Sequence, residues 1–271
     1  MQQALTIAGS DSGGGAGIQA DLKTFHANGI FGTSVVTAVT AQNTVAVTES
    51  FDLPVAIVTA QLHAVFDDFD IAAAKTGMLS SPVIVDAVSE VLRERGGRAL
   101  DQLVVDPVMI SKGGSRLLEE DAVESLKRNL LPLALVATPN IHEAQLLSGR
   151  TIESRRQMEA AACIIREYGC RNVLIKGGHA GFDPATDMLF DGDGFHFYRH
   201  RFVDTTNLHG TGCTFSAAIT ARLALGEPLL EAVEHAKQYI SCAIEHSLPI
   251  GRGHGPTHHF YFLDAGDCLE R

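Results

Sequence analysis

The chain has 271 residues, of which 45% are hydrophobic and 20% are charged. This composition excludes a disordered or low-complexity protein, and the length suits one or two domains. The formal net charge is −11, and the sequence has no cluster of lysines or arginines. A nucleic acid or an anionic membrane is therefore not an expected partner, because basic residues supply most of the affinity for phosphate-rich surfaces.

Short apolar strands alternate with amphipathic helices along most of the chain. The predicted strands are residues 5–8, 35–40, 71–74, 103–105, 133–137 and 173–175, with a hairpin at 188–190 and 195–198. The predicted helices are residues 16–28, 54–68, 82–95, 211–225 and 228–246. This alternation favours an α/β fold with a parallel sheet covered by helices on both faces. No linker-like segment interrupts it, so residues 1–271 are expected to form one domain.

The five cysteines form no CxxC pair, and their odd number argues against a disulfide framework. A reducing cytoplasm is the expected location. No basic segment precedes the first strand, so we expect no signal peptide. The uncharged stretch at residues 24–48 is rich in threonine and includes Gln42 and Asn43, which makes it too polar for a lipid-facing helix.

Several well-known site motifs fail on inspection. The loop at residues 9–15 has Walker-like glycine spacing but no following Lys-Ser/Thr, so it is not a P-loop. It also lacks the glycine fingerprint of dinucleotide-binding proteins and the GxSxG motif of a nucleophilic serine. Glu143 follows a histidine, but Leu146 stands where a zinc HExxH motif needs its second histidine. The late histidines at positions 254, 258 and 259 fit a polar loop better than a metal site.

In parallel α/β sheets, ligands bind beyond the carboxyl ends of the strands. The strongest local signal is the sequence HGTGCT at residues 209–214, directly before a helix of small residues. Glycines let the backbone approach a ligand, and free N–H groups at a helix start attract anions. An alternative is that the helix needs these glycines only for close packing. Cys213 lies in the first turn, where we expect its pKa to fall below the free value, although a lone cysteine is more often buried and inert.

Two acids and a lysine also follow predicted strands. Asp106 and Glu143 could hold a Mg²⁺ ion whose remaining ligands are water and phosphate oxygens, and Lys176 could balance phosphate charge. The alternatives are an aspartate in a proline turn, a capping-box glutamate and a solvated lysine.

A third group combines a carboxylate, two amides and a thioether. Asp21, Gln42 and Asn43 could read the edge of a small nitrogen heterocycle, with Met78 against its face. Taken singly, Asp21 and Gln42 would be surface residues.

Together these segments resemble the hydroxymethylpyrimidine and phosphomethylpyrimidine kinases of thiamine biosynthesis, within the ribokinase-like superfamily. The similarity covers nearly the whole chain. The segments that carry it are LTIAGSD (5–11), GGGAGIQADLKT (13–24), TAQNT (40–44), KTGML (75–79), DPVM (106–109), TPN (138–140) with Glu143, KGGH (176–179) and HGTGCT (209–214).

The resemblance implies a three-layer ribokinase-like fold with a mostly parallel central sheet and a small β lid around residues 31–51. It implies ATP and an aminopyrimidine as substrates and Mg²⁺ as cofactor, and we also expect a homodimer. The implied site residues are Gln42, Asp21, Met78 and Val108 for the aminopyrimidine; Gly210, Thr211, Gly212 and Cys213 for catalysis in the anion hole; Lys176 and Asn140 for ATP; and Asp106 and Glu143 for Mg²⁺.

Many ribokinase-like sugar kinases carry aspartate where this chain has Cys213. A phosphate monoester is already ionised near neutral pH, so it needs no base, and a fixed aspartate would repel it. We therefore expect two successive phosphoryl transfers at one site, to the hydroxymethyl group and then to its phosphate. The thiol would be neutral in the second transfer and partly thiolate in the first. The alternatives are a pyridoxal kinase, a pyrimidine-binding sensor without activity, and a nicotinamide oxidoreductase.

Overall fold

Nine strands pair edge to edge in one sheet of the computed structural model, which describes residues 1–109, 120–178 and 181–264. The strand order across the sheet is β3-β2-β1-β4-β5-β6-β7-β8-β9. The strands are β1 Gln3–Asp11, β2 Phe31–Gln42, β3 Val47–Asp52, β4 Ile71–Thr76, β5 Leu103–Val105, β6 Val136–Ala137, β7 Asn172–Ile175, β8 Thr186–Phe190 and β9 Phe195–Arg199. Lys112 and His179 lie outside the described residues.

The centre of the sheet is parallel and its two edges are antiparallel. The strands from β2 to β7 in the spatial order run in the same direction. β3 pairs antiparallel with β2, and β8 and β9 form an antiparallel hairpin beside β7. All carboxyl ends of the six parallel strands therefore meet at one edge of the sheet.

Helices cover both faces of the sheet and complete a three-layer fold. They are α1 Gly17–Ala27, α2 Val55–Asp68, α3 Pro82–Arg95, α4 Gly97–Asp101, α5 Glu120–Ser125, α6 Ile141–Ser148, α7 Arg155–Arg166, α8 Thr211–Ala224, α9 Leu229–Glu245 and α10 Tyr261–Asp264. One core cluster joins the sheet to α2, α3 and α5 to α7, and the other joins it to α1, α8 and α9.

The central strands are buried on both faces, which explains their continuous apolar sequence. Within β5, Val104 belongs to the core under α8 and α9, whereas the next residue, Val105, belongs to the opposite core. Successive side chains of a strand point to opposite faces, so each short strand contributes to both layers.

The structure confirms the predicted α/β fold and most predicted elements, although several bounds differ; β1 and β2, for example, extend beyond the predicted 5–8 and 35–40. The predicted strand at residues 133–137 is reduced to β6, because Leu131–Leu133 forms a 3-10 turn that follows a π turn at Leu126–Leu130. The region expected to form a lid is the hairpin of β2 and β3, and it is joined to the main sheet through the pairing of β2 with β1. The uncharged stretch at 24–48 covers the end of α1, all of β2 and the start of β3, and none of the described helices is long and apolar enough to cross a membrane.

Candidate functional site

The carboxyl ends of the parallel strands bring the predicted polar residues to one edge of the sheet. Asp106 follows β5 directly, and Lys176 follows β7. A parallel bridge between Asn140 and Lys176 continues the pairing of β6 with β7 beyond both strands. Asn140 is also the N-cap of α6, so it marks the point where the sheet edge passes into a helix.

Helix α8 begins beside this edge with unbonded backbone N–H groups. The N–H group of Thr211 donates to the Leu208 carbonyl over 3.3 Å, whereas those of Gly212 and Cys213 have no acceptor among the described residues. A Cβ built on Gly212 would lie 3.4 Å from the Lys176 Nζ, so the ammonium group is next to the helix start. Two free N–H groups, the positive end of the helix and a lysine together provide the donors and the positive charge that could bind an anion.

The packing interpretation of the glycines at this helix start applies to Gly210. Gly210 has a φ of 78°, and a Cβ on it would lie 1.7 Å from the Gly15 carbonyl oxygen, so it is required for close packing. Gly212 has only the Lys176 ammonium nearby, so it keeps the approach to the free amides open.

Asp106 is almost fully buried, and its carboxylate binds three neighbours. Oδ1 accepts from Lys176 Nζ at 2.7 Å and from Thr138 Oγ1 at 3.3 Å, and Oδ2 accepts from Ser216 Oγ at 2.9 Å. Burial lowers the pKa of Lys176, but the carboxylates of Asp106 and Glu143 outweigh it and raise that pKa, so the lysine is charged. Ser216 and Thr138 were not among the predicted site residues; Thr138 lies in the TPN segment that carries the resemblance, whereas Ser216 lies outside all of these segments.

Glu143 serves a structural role and also lies within the charged cluster. It forms a capping box with Asn140, in which each side chain accepts a hydrogen bond from the backbone N–H of the other. Burial raises its pKa to about 7, with Lys176 opposing and Asp106 adding to the shift. The sequence-based alternative of a capping glutamate is therefore correct, and it does not exclude a role toward phosphate.

The cluster fits a Mg²⁺ ion that phosphate oxygens help to bind. Asp106 and Glu143 offer the hard carboxylate oxygens that Mg²⁺ prefers. Within the described ranges, no three His, Cys, Asp or Glu side chains gather closely enough to hold an ion by themselves. An ion held by these two carboxylates has further positions for water and phosphate oxygens.

The prediction of a lowered pKa for Cys213 is wrong. Burial raises the pKa of the thiol to about 11, and the charges of Asp21 and Asp106 add to this, while Lys75 and the Gly17 amide oppose it. The desolvation of a thiolate outweighs the favourable end of the helix. Cys213 is thus a protonated thiol near neutral pH.

Asp21 is buried in the protein interior and does not line the surface of the candidate site. Its side chain is fully buried, with Oδ1 2.8 Å from Lys75 Nζ and Oδ2 accepting from Thr6 Oγ1 at 2.6 Å. Lys75 is equally buried, and burial lowers its pKa less than the charges of Asp21 and Asp106 raise it. The expected direct contact between Asp21 and a ring is not available in this arrangement, because the carboxylate is enclosed by protein. Asp21 balances the charge of Lys75, which lies near Cys213 at the start of α8.

The other residues predicted to bind the ring differ in their surroundings. Gln42 ends β2, and its Nε2 lies 3.5 Å from His209 Nε2, so it is close to the segment before α8. Met78 is buried, and its Cε lies 3.1 Å from a Cβ built on Gly9. Val108 is half-buried, two residues after Asp106.

Asn43 differs from the other residues in this group. Its side-chain oxygen accepts from the N–H groups of Val45 and Ala46 at 2.8 and 3.1 Å, so it stabilises the turn between β2 and β3. The structure thus gives Asn43 a turn-forming role.

Asp11 and His209 belong to the site but were not singled out individually from the sequence. Their side chains meet at 2.8 Å, although they are 198 residues apart in the chain. Both occur within segments that carry the family resemblance, which was the available signal.

Comparison with known proteins places this geometry in a family. The family model described as phosphomethylpyrimidine kinase matches residues 11–258. The hydroxymethylpyrimidine/phosphomethylpyrimidine kinase of Haemophilus influenzae is 51% identical over 97% of this chain and 98% of its own length.

Two solved structures show a similar fold. The phosphomethylpyrimidine kinase of Clostridium difficile is 45% identical with a TM-score of 0.80, and the match covers 90% of this chain and 100% of that one. The pyridoxal kinase of Bacillus subtilis, solved as an ADP complex, is 39% identical with a TM-score of 0.89, and covers 97% of this chain and 99% of that one. The chain therefore belongs to the phosphomethylpyrimidine kinase family.

Proposed function

We propose that this kinase transfers the γ-phosphoryl group of ATP to 4-amino-5-hydroxymethyl-2-methylpyrimidine, and then a second one to the resulting monophosphate, in thiamine biosynthesis. The first transfer yields ADP and a phosphate monoester, and the second yields ADP and a diphosphate. The observation that carries the proposal is the pair of free amides at Gly212 and Cys213, next to the Lys176 ammonium group. Membership of the kinase family excludes the alternative of a nicotinamide oxidoreductase.

The chain stabilises the transferred group mainly by charge and position. The transition state of phosphoryl transfer is loose and spreads negative charge over the equatorial oxygens. The amides of Gly212 and Cys213 donate hydrogen bonds to these oxygens, and Lys176 supplies a positive charge. The small residue at position 212 leaves room for the phosphoryl group to reach the amides.

Asp106 and Glu143 would hold Mg²⁺, and Asn140 and Lys176 would lie on the ATP side. When bound, the ion neutralises charge on the phosphate oxygens. Asp106 also holds Lys176 in place through their 2.7 Å ion pair. We expect Asp106→Asn to weaken the Mg²⁺ dependence of the reaction, and an unchanged Mg²⁺ titration would contradict this role.

Cys213 acts in this proposal as a neutral group. A thiol with a pKa of about 11 does not take a proton from an alcohol near neutral pH in the free protein. It does allow the monophosphate to approach without repulsion from a fixed charge. Gln42, Met78 and Val108 would bind the aminopyrimidine, and Asp21 would act through Lys75.

The test is an ATP-dependent assay on the aminopyrimidine alcohol and, separately, on its monophosphate, with the mass of each product measured. We expect the alcohol to gain one and then two phosphoryl groups, and the monophosphate to gain one. ADP release without a phosphorylated pyrimidine would contradict the proposal, and absence of both would favour the sensor alternative.

Pyridoxal kinase activity is a second candidate, and the likeness to a pyridoxal kinase at a TM-score of 0.89 supports it. Pyridoxal also carries a hydroxymethyl group on a ring of similar size. A comparison of kcat/KM on both acceptors decides between them, and a preference for pyridoxal would reverse the order proposed here.

We further propose a one-domain protein of the cytoplasm that forms a homodimer. The four cysteines among the described residues are all unpaired, in keeping with a reducing compartment. Phe51 and Val45 are 65% and 61% exposed on the β2–β3 hairpin, which supports an apolar contact there. Light scattering measures the oligomeric state, and Phe51→Glu should shift the equilibrium between dimer and monomer toward monomer.

A further inference from the structure

The loop after β1 folds around a single buried carboxylate. Asp11 Oδ1 accepts from the Gly13 N–H group at 2.8 Å, and Oδ2 accepts from those of Gly15 at 3.0 Å and Ala16 at 2.8 Å. The side chain is only 2% exposed. The glycine-rich loop therefore turns its amides toward its own aspartate, and these amides are not available to a bound phosphate.

One donor to this carboxylate comes from a distant part of the chain. His209 Nε2 lies 2.8 Å from Asp11 Oδ2, and the imidazole is largely buried. Burial raises the pKa of Asp11, but hydrogen bonds from His209 and Ala16 outweigh it and lower that pKa. Because an ionised carboxylate only accepts, we assign the proton to His209 Nε2.

The Asp11–His209 pair lies where the start of α8 meets the proposed ring-binding side. Next to His209, Gly210 packs so closely on the loop that a Cβ there would lie 1.7 Å from the Gly15 carbonyl oxygen. The same nitrogen, His209 Nε2, also lies 3.5 Å from Gln42 Nε2. His209 therefore lies between the start of α8 and the proposed ring-binding side.

The backbone of His209 is held independently of its side chain. Its N–H group donates to the Gly255 carbonyl at 3.0 Å, and its carbonyl accepts from the Thr257 N–H group at 3.3 Å. Removal of the imidazole thus leaves these two backbone hydrogen bonds of His209 in place. What is lost is the link between the His209 segment and the loop at Asp11.

We propose that Asp11 and His209 are positioning residues, whose hydrogen bond sets the distance between the anion site at α8 and the ring-binding side. The inference rests on the proposed function and adds two residues to it. Phosphoryl transfer depends on alignment of the acceptor with the γ-phosphoryl group, and a displacement of about 1 Å costs roughly 100-fold in rate. Binding of either substrate alone depends much less on their mutual distance.

The test compares His209→Leu, which removes the donor, with His209→Gln, whose amide replaces the Nε2 donor. Single-turnover transfer to the pyrimidine alcohol is measured together with the separate affinities for ADP and for the alcohol. We expect His209→Leu to lower the transfer rate roughly 10- to 100-fold, with both affinities within about threefold of wild type. His209→Gln should recover most of the rate.

The hairpin of β8 and β9 provides a matched control. His196 Nε2 lies 2.7 Å from Asp191 Oδ2 in a similar histidine–aspartate pair, outside the site. His196→Leu and His196→Gln should both leave the transfer rate unchanged. If His209→Leu does not fold, His209→Asn replaces it, because its shorter amide does not reach Asp11 and its rate should fall below that of the Gln variant.

A wild-type rate in the Leu or Asn variant would overturn the inference. So would a loss of rate matched by equal losses of both affinities and not recovered by His209→Gln, since that pattern indicates a merely structural role. If wild-type protein phosphorylates no pyrimidine, the proposed function fails instead, and the same variants are then compared with pyridoxal as the acceptor.

Discussion

Protonation of a buried histidine behind the start of α8 should destabilise the protein in mild acid. His259 is 5% exposed, and its Nε2 lies 3.1 Å from Thr214 Oγ1 in the first turn of α8. Burial lowers its pKa from 6.5 to about 4, and the nearby charges of Lys23 and His258 add to the shift. The folded protein therefore keeps this histidine neutral at pH values where the unfolded chain protonates it.

The sign and size of the effect follow from this difference in pKa. The unfolded state binds more protons between about pH 6.5 and pH 4, so the free energy of unfolding falls as the pH falls through this window. At pH 5 the expected loss from this one group is about 2 kcal/mol, and below pH 4 it levels off at roughly 3 kcal/mol. Above pH 7 the group makes no pH-dependent contribution.

The assay is urea unfolding of wild type and His259→Gln at pH 7.5 and pH 5. Glutamine offers Thr214 a hydrogen bond but does not titrate, so the variant should lose about 2 kcal/mol less than wild type between the two pH values. His142→Gln is the control, because the His142 side chain is exposed on α6. Equal losses in wild type and His259→Gln would refute the reasoning.

Three substitutions test the site itself. Gly210→Ala should abolish activity, because its Cβ would lie 1.7 Å from the Gly15 carbonyl oxygen and φ is 78°; an active variant in a steady-state assay would contradict this packing. Lys75→Met should lower the free energy of unfolding by roughly 3–5 kcal/mol, because it leaves the buried Asp21 carboxylate without its partner. Chemical denaturation measures this loss, and the added change Asp21→Leu should recover part of it. Cys213→Asp should slow transfer to the monophosphate more than transfer to the alcohol, since a fixed negative charge repels an ionised acceptor; equal slowing in single-turnover measurements would argue against a neutral role for the thiol.

Local sequence patterns determined the elements and the strand-end motifs. The strand at 103–105 and the helix start at Thr211 were predicted because apolar runs, glycines and caps act over a few residues. The capping box of Asn140 and Glu143 is equally local. The strand predicted at 133–137 was too long, because a 3-10 turn before it shares the same apolar composition.

By itself, the sequence determined the α/β fold, the order of its elements and the family resemblance, all of which depend on short-range periodicity and motifs. Only the tertiary structure decided the environment of each side chain. It placed Asp21 against a buried lysine, raised the pKa of Cys213 by burial and brought His209 to Asp11. Burial and charge pairing depend on contacts between residues far apart in the chain, and no local pattern encodes them.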